Sequence, residues 1–162
     1  MISREIIKTL KFIVSRLGNQ KINWALSGSL GLALRGVKVK THDIDIITNK
    51  KGAYKIARLL KDYEFKKLKF SRGGLFASYY GKAKINGVIV EIIGNFRKKM
   101  LDGSWTKDSS LRHKEFFNFR GMKIPLLGLE YEYKFYLNDR SRKRLKTAQK
   151  IKEFLNNSSS CP

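Results

Sequence analysis

The sequence predicts an α/β (α+β) domain, a mixed β-sheet flanked by helices and closed by C-terminal helices. Residues 2–63 alternate helix-period and strand-like stretches, residues 64–93 read as successive strands, and residues 129–155 return to a helical period. With 162 residues, 42% of them hydrophobic and 12% aromatic, the chain is long and apolar enough for one packed core. Global disorder is excluded by the same figures.

Taken in order, Ile2–Leu17 places Ile6, Ile7, Leu10, Ile13, Val14 and Leu17 at helical spacing, with Ser3 as N-cap and Gly18-Asn19 as the stop. Ile22–Leu26 reads as a short buried strand running into Ser27-Gly28-Ser29, and Leu30–Leu34 as a short helix ended by Gly36. Asp43–Thr48 alternates polar and apolar residues as a half-buried strand does, and Lys51–Tyr63 is helical again. Glu64–Phe70, Leu75–Ile85 and Val88–Ile93 follow as strands, separated by Arg72-Gly73-Gly74 and by Asn86-Gly87, a strong two-residue hairpin signal. Residues 96–110 show no clear period. Phe116–Arg120 and Met122–Pro125 are expected to pair across Gly121, and Leu129–Leu137 and Arg142–Leu155 are expected as closing helices. A single domain over 1–155 results, with a core at about 20–95, a C-terminal helical part at about 126–155 and a disordered tail at 156–162.

The apolar runs are too short to span a bilayer, and no signal-peptide core follows Met1–Arg4, so the expectation is a soluble, cytoplasmic protein without a membrane partner. Cys161 is the single cysteine, which excludes an internal disulfide and a cysteine-based metal site. The net charge of +22 comes from 24 Lys and 11 Arg spread through the chain, with 22 basic and 6 acidic residues in 1–100 and 13 and 7 in the rest. That distribution attracts anions without forming a confined nucleic-acid-binding arm.

Two features break the rules of a buried sheet. Asp43 and Asp45 are two apart on one strand and therefore share a face, and Glu91 interrupts the β-branched run Val88–Ile93. Three converging carboxylates repel one another unless a cation neutralises them, and all-oxygen ligation favours Mg²⁺ or Mn²⁺. Ser27-Gly28-Ser29 lies where a strand turns into a helix, a context in which glycine permits close approach of an anion and the free N–H groups bind it.

With Gly28-Ser29, Asp43-Ile-Asp45 and Glu91 in these contexts, the chain resembles the DNA polymerase beta superfamily of nucleotidyltransferases, and most of all its small antibiotic-type and minimal members. The resemblance implies metal-dependent transfer of a nucleoside monophosphate, AMP from ATP, to a hydroxyl-bearing acceptor with release of pyrophosphate. It assigns Asp43, Asp45 and Glu91 as catalytic metal ligands, with Glu91 also placed to take the acceptor proton, and Gly28 and Ser29 as phosphate-binding residues. A weaker likeness over Ile124–Lys134 adds Lys134 as a nucleotide-binding cation, with Arg35, Lys38 and Lys40 as further candidates. Lys146-Thr147 and Lys150 depart from the pattern, because relatives often carry Lys-Asp and a further Asp in the last helix.

The implied partners are a nucleoside triphosphate, an acceptor that is a small molecule, RNA or a protein, and a helical partner protein or a second copy of the chain. The competing functions are a catalytically idle nucleic-acid-binding module and an antitoxin-like subunit of a two-component system. His42 is expected on the strand face opposite Asp43, His113 on a solvated face, and Tyr131, Tyr133, Phe135 and Tyr136 in the core or an interface.

Overall fold

A computed structural model describes residues 2–100, 102–107, 110–138 and 141–158. The elements are α1 (Arg4–Gly18), β1 (Trp24–Ser27), α2 (Gly28–Leu34), β2 (Asp43–Thr48), α3 (Lys50–Leu59), β3 (Lys66–Gly73), β4 (Phe76–Ile85), β5 (Val88–Lys98), β6 (Lys114–Phe119), β7 (Met122–Leu127), α4 (Leu129–Asn138) and α5 (Arg142–Ser158), with a short 3₁₀ turn at Ser110–His113. Seven strands form one mixed sheet in the order β3-β4-β5-β2-β1-β7-β6. The β2–β5 and β1–β7 pairs are parallel and the remaining neighbours antiparallel.

Local chemistry explains the boundaries. Ser3 caps α1 by accepting the Ile6 N–H, and Asn49 caps α3 by accepting the Gly52 N–H at 2.7 Å. Asn86 and Gly87 both take positive φ (51° and 79°), the backbone a tight hairpin needs between β4 and β5.

Alternation then decides which face of the sheet carries what. Trp24 and Leu26 of β1, Ile44 and Ile46 of β2 and Val88, Val90 and Ile92 of β5 pack with Ile6, Leu10, Ile13 and Leu17 of α1 and Ala53 and Ile56 of α3 in the main core. Their alternate neighbours Ala25, Ser27, Asp43, Asp45, Glu91 and Ile93 necessarily face the other side. There a second cluster joins Leu32, Val37, Leu129, Tyr136, Ala148 and Ile151, packing α2, α4 and α5 together.

The structure departs from the sequence expectations mainly in extent. β5 runs to Lys98, five residues past Ile93, because a register shift between Ala77 and Tyr79 lets β4 keep pairing with it through Phe76↔Lys98. The turn between β3 and β4 lies at Gly74-Leu75, with Gly73 still in the strand. The α3 helix ends at Leu59 and is followed by turns to Glu64, whose φ is 43°. α5 continues through Ser158, into the segment expected as a tail, while 159–162, including Cys161, lie outside the described residues. No helix of the described residues is long and apolar enough to cross a membrane.

Candidate active site

The register of the sheet lines up four polar side chains. Ser27 on β1 is opposite Asp45 on β2, Asp45 is opposite Glu91 on β5, and Glu91 is opposite Lys82 on β4. Paired residues share a face and neighbouring strands are about 4.8 Å apart, so these side chains form one row across the sheet. Asp43, two residues before Asp45, stands beside the row on the same face. Ser27, Asp45 and Glu91 of this row, with Asp43, form the floor of a cleft of about 680 Å³ that also takes in Gly28 and Ser29. The sequence-selected Gly28, Ser29, Asp43, Asp45 and Glu91 therefore meet in one place.

Gly28 opens α2 with φ +69°, a left-handed conformation that side chains other than glycine rarely adopt. A Cβ there would collide with Asp45 Oδ2 and lie 3.2 Å from Asp45 Cγ. The absence of a side chain at Gly28 is what lets the Asp45 carboxylate lie against the turn.

Glu132 of α4 holds this turn from beneath. Its Oε1 accepts the Ser27 hydroxyl at 2.7 Å and the Gly28 N–H at 3.0 Å, and the residue is 3% exposed. It occupies the inward stripe of α4 with Leu129 and Tyr136. Sequence reading passed over it in favour of Lys134, although the signal was the one that exposed Glu91: a carboxylate at a position where the period demands an apolar residue. Lys134 is two residues further round the helix, exposed, and is not brought to the cleft.

The floor is electrostatically loaded. Burial, followed by the charges of Asp43, Glu91 and Glu132, pushes the Asp45 carboxyl up to about 7, against a smaller opposing pull from Arg144. Burial likewise raises Glu132 to about 7, opposed first by the hydrogen bonds from Ser27 and Gly28. Glu91 is relieved differently, by an ion pair with Lys82 at 2.8 Å. The hydrogen bonds to Glu91 and then Tyr80 raise the Lys82 ammonium above its ordinary range and keep it charged.

Asp43 and Asp45 offer hard oxygen donors whose mutual repulsion a divalent cation would remove, so the donor set fits Mg²⁺ or Mn²⁺. Among the described residues, no group of three or more His, Cys, Asp or Glu side chains is gathered closely enough to hold a metal alone. The arrangement suits a cation that completes its shell with substrate phosphates and water, as Mg²⁺ commonly does.

The wall opposite the floor is cationic. Lys143, Arg144, Thr147 and Lys150 of α5 line the cleft, as do Lys40 and the exposed His42 at its mouth. Arg144 lies over the rings of Tyr136 and Phe135, at 5.1 and 5.4 Å from their centroids. Of the other expected cations, Arg35 is turned away into an ion pair with Glu115 at 2.9 Å, and Lys38 offers its carbonyl to Lys150 Nζ at 2.9 Å. His113 is exposed and stacks on Tyr131 at 4.8 Å. Tyr131, Phe135 and Tyr136 line the cleft in addition to packing, and Phe76, Phe96 and Phe135 form a ring cluster with centroids 5.5 to 6.1 Å apart.

Comparison with known proteins agrees with this geometry. Residues 9–151 match the family described as aminoglycoside-2''-adenylyltransferase. A solved structure from Thermotoga maritima, assigned to the nucleotidyltransferases, is 42% identical, covers 97% of this chain and 96% of its own, and superposes with a TM-score of 0.82. The lincosamide antibiotic adenylyltransferase LnuA, solved with lincomycin bound, shares the fold at 18% identity over 90% of this chain and 95% of its own, with a TM-score of 0.61. ANT(2'')-Ia, solved with adenylyl-2''-tobramycin, shares it at 10% identity over 94% and 91%, with a TM-score of 0.62. No curated protein matches the sequence. A family match over most of the chain and a near-full-length relative at this identity lead to one conclusion: the chain is a nucleotidyltransferase and belongs to the aminoglycoside-2''-adenylyltransferase family.

Proposed function

We propose that the protein transfers AMP from ATP, in the presence of Mg²⁺ or Mn²⁺, to the hydroxyl of a small-molecule acceptor and releases pyrophosphate. The observation that carries this reading is that Asp43, Asp45 and Glu91 line one cleft together with the Gly28-Ser29 turn and the cationic side chains of α5. Asp43 and Asp45 would hold the divalent cation, which when bound neutralises charge on the triphosphate and at the transferring phosphorus.

The remaining work falls to the chain's own groups. Gly28 and Ser29 receive the β- and γ-phosphates, flanked by Lys40, Lys143, Arg144 and Lys150 in the role expected of Lys134. Glu132 keeps the turn in place through Ser27 and Gly28. At the other end of the row, Glu91 takes the proton of the acceptor hydroxyl as its oxygen bonds to the α-phosphorus. The bond from the α-phosphorus to the bridging oxygen then breaks and pyrophosphate leaves with its electron pair. The Phe76, Phe96 and Phe135 cluster gives an acceptor an apolar face to lie on. That structures sharing the fold include a lincosamide antibiotic adenylyltransferase with lincomycin bound and ANT(2'')-Ia with adenylyl-2''-tobramycin supports a small hydroxyl compound as acceptor.

The test uses ATP labelled at either the α- or the γ-phosphate, incubated with protein, Mg²⁺ and a fractionated pool of small hydroxyl compounds. Transfer of α-label with stoichiometric pyrophosphate is expected. Transfer of γ-label, or α-label incorporation that persists in a chelator, would overturn the reading.

A further inference from the structure

Glu91 is not free to face a cation on its Asp45 side. Lys82 stands directly opposite it in the β4–β5 ladder, and the two side chains form an ion pair at 2.8 Å although they are 40% and 20% exposed. Tyr80 stands beside this pair, with the Lys82 ammonium 5.5 Å from the centroid of its ring. Glu91 therefore sits between a like charge, Asp45, on one neighbouring strand and an opposite charge, Lys82, on the other. Attraction on one side and repulsion on the other favour the observed engagement of its carboxylate with Lys82. This agrees with the absence, among the described residues, of a three-ligand cluster at the site.

We propose that Lys82 takes the place of a second divalent cation at the acceptor end of the cleft. It is a positioning residue that neutralises and orients Glu91, so that the reaction runs with one divalent cation, held by Asp43 and Asp45. The proposal rests on the nucleotidyl-transfer reading above. The acceptor O–H bond breaks with its proton passing to Glu91, the oxygen bonds to the α-phosphorus, and the pyrophosphate oxygen leaves with the electron pair of the broken bond. Lys82 exchanges no proton in this step and holds Glu91 aimed at the hydroxyl.

Counting bound Mn²⁺ by electron paramagnetic resonance on protein saturated with α,β-methylene-ATP tests the idea without turnover. One Mn²⁺ per wild-type chain is expected, and Lys82→Met should admit a second. In pyrophosphate release, Lys82→Met should lower kcat by about 10- to 100-fold, the range typical for losing a group that orients a catalytic ligand, with the KM for ATP unchanged. Lys82→Arg, which keeps the charge, should recover most of the rate. Two Mn²⁺ in the wild type, or a Lys82→Met variant with unaltered kcat, would overturn the proposal while leaving nucleotidyl transfer standing. Failure of wild-type protein to bind the analogue with Mn²⁺ would overturn both.

Discussion

Replacing Gly28 by alanine separates the two jobs that glycine does in this turn. Its φ of +69° makes any Cβ unfavourable, by about 1–2 kcal/mol for an L-residue in the left-handed region. The new Cβ would also collide with Asp45 Oδ2, and at 3.2 Å it would crowd Asp45 Cγ. Rotation of the carboxylate relieves that collision more cheaply than movement of the backbone, so most of the damage goes to function. A total stability loss of about 1–3 kcal/mol is expected, which for a chain of this length lowers the unfolding midpoint by roughly 3–10 °C.

Activity should suffer far more, because displacing a reacting group by about 1 Å costs on the order of 100-fold. Gly87→Ala is the control. Its φ is +79° and nothing lies within 4 Å of its Cβ position, so it carries the backbone penalty without the collision. Thermal unfolding and Mg²⁺-dependent pyrophosphate release should show both variants destabilised by comparable amounts and only Gly28→Ala inactivated. If Gly28→Ala kept activity within about threefold of Gly87→Ala, far less than that misplacement predicts, the claim that Gly28 sets the Asp45 carboxylate would be refuted.

Other outcomes follow from the same geometry. Glu132→Gln retains an acceptor for Ser27 and Gly28 and should keep the fold and most activity, whereas Glu132→Ala should cost about 1–3 kcal/mol by chemical denaturation and at least tenfold in pyrophosphate release. The raised Asp45 and Glu132 carboxyls mean that the metal-free folded chain holds more protons than the unfolded chain between the ordinary carboxylate range and about pH 7. In a chelator, the contribution of these two carboxyls to stability should therefore be largest below about pH 4 and fall as pH rises to about 7, and Asp45→Asn should remove its part of that slope in a pH series of melting curves compared with wild type. Because protons compete with the cation for Asp45, Mg²⁺–ATP binding measured by calorimetry should weaken as pH drops below about 7. Arg144→Ala should raise the KM for ATP by about tenfold or more, since charge-assisted phosphate contacts are worth about 1.5–3 kcal/mol, while Lys134→Ala should leave it within twofold.

What the sequence disclosed, and what it hid, divides along a physical line. Asp43, Asp45 and Glu91 were legible because a carboxylate in a β-branched strand violates a local pattern, and Gly28-Ser29 because a strand-to-helix turn is itself local. The face of β2 that carries Asp43 and Asp45 was legible too, since the alternation over Asp43–Ile46 needs no tertiary knowledge. Hidden were the features set by register and docking. That Lys82 stands opposite Glu91 depends on β4 and β5 pairing in unbroken register outward from the Asn86-Gly87 turn, the shift coming only later, between Ala77 and Tyr79. That Lys143, Arg144 and Lys150 face the cleft depends on how α5 packs on α4 and α2. Lys146 and Thr147 marked a departure from the family pattern, and of the two only Thr147 reaches the cleft wall. Glu132 was visible in principle, as a charge at an inward helical position, but the family likeness over Ile124–Lys134 drew the nucleotide-binding role to Lys134.

The +22 charge acquires a local meaning here. It surrounds a floor of carboxylates, so under the proposed function a triphosphate bringing its own Mg²⁺ would be drawn toward a cleft whose carboxylates would also bind that cation. The most direct test of this arrangement is isothermal titration of ATP into wild-type protein and into the Asp43→Asn/Asp45→Asn double variant, with and without Mg²⁺. Binding that requires Mg²⁺ in the wild type and disappears in a folded double variant is the predicted result. Equal ATP affinity in all four titrations would contradict the assignment of Asp43 and Asp45 as the residues that hold the metal–nucleotide complex.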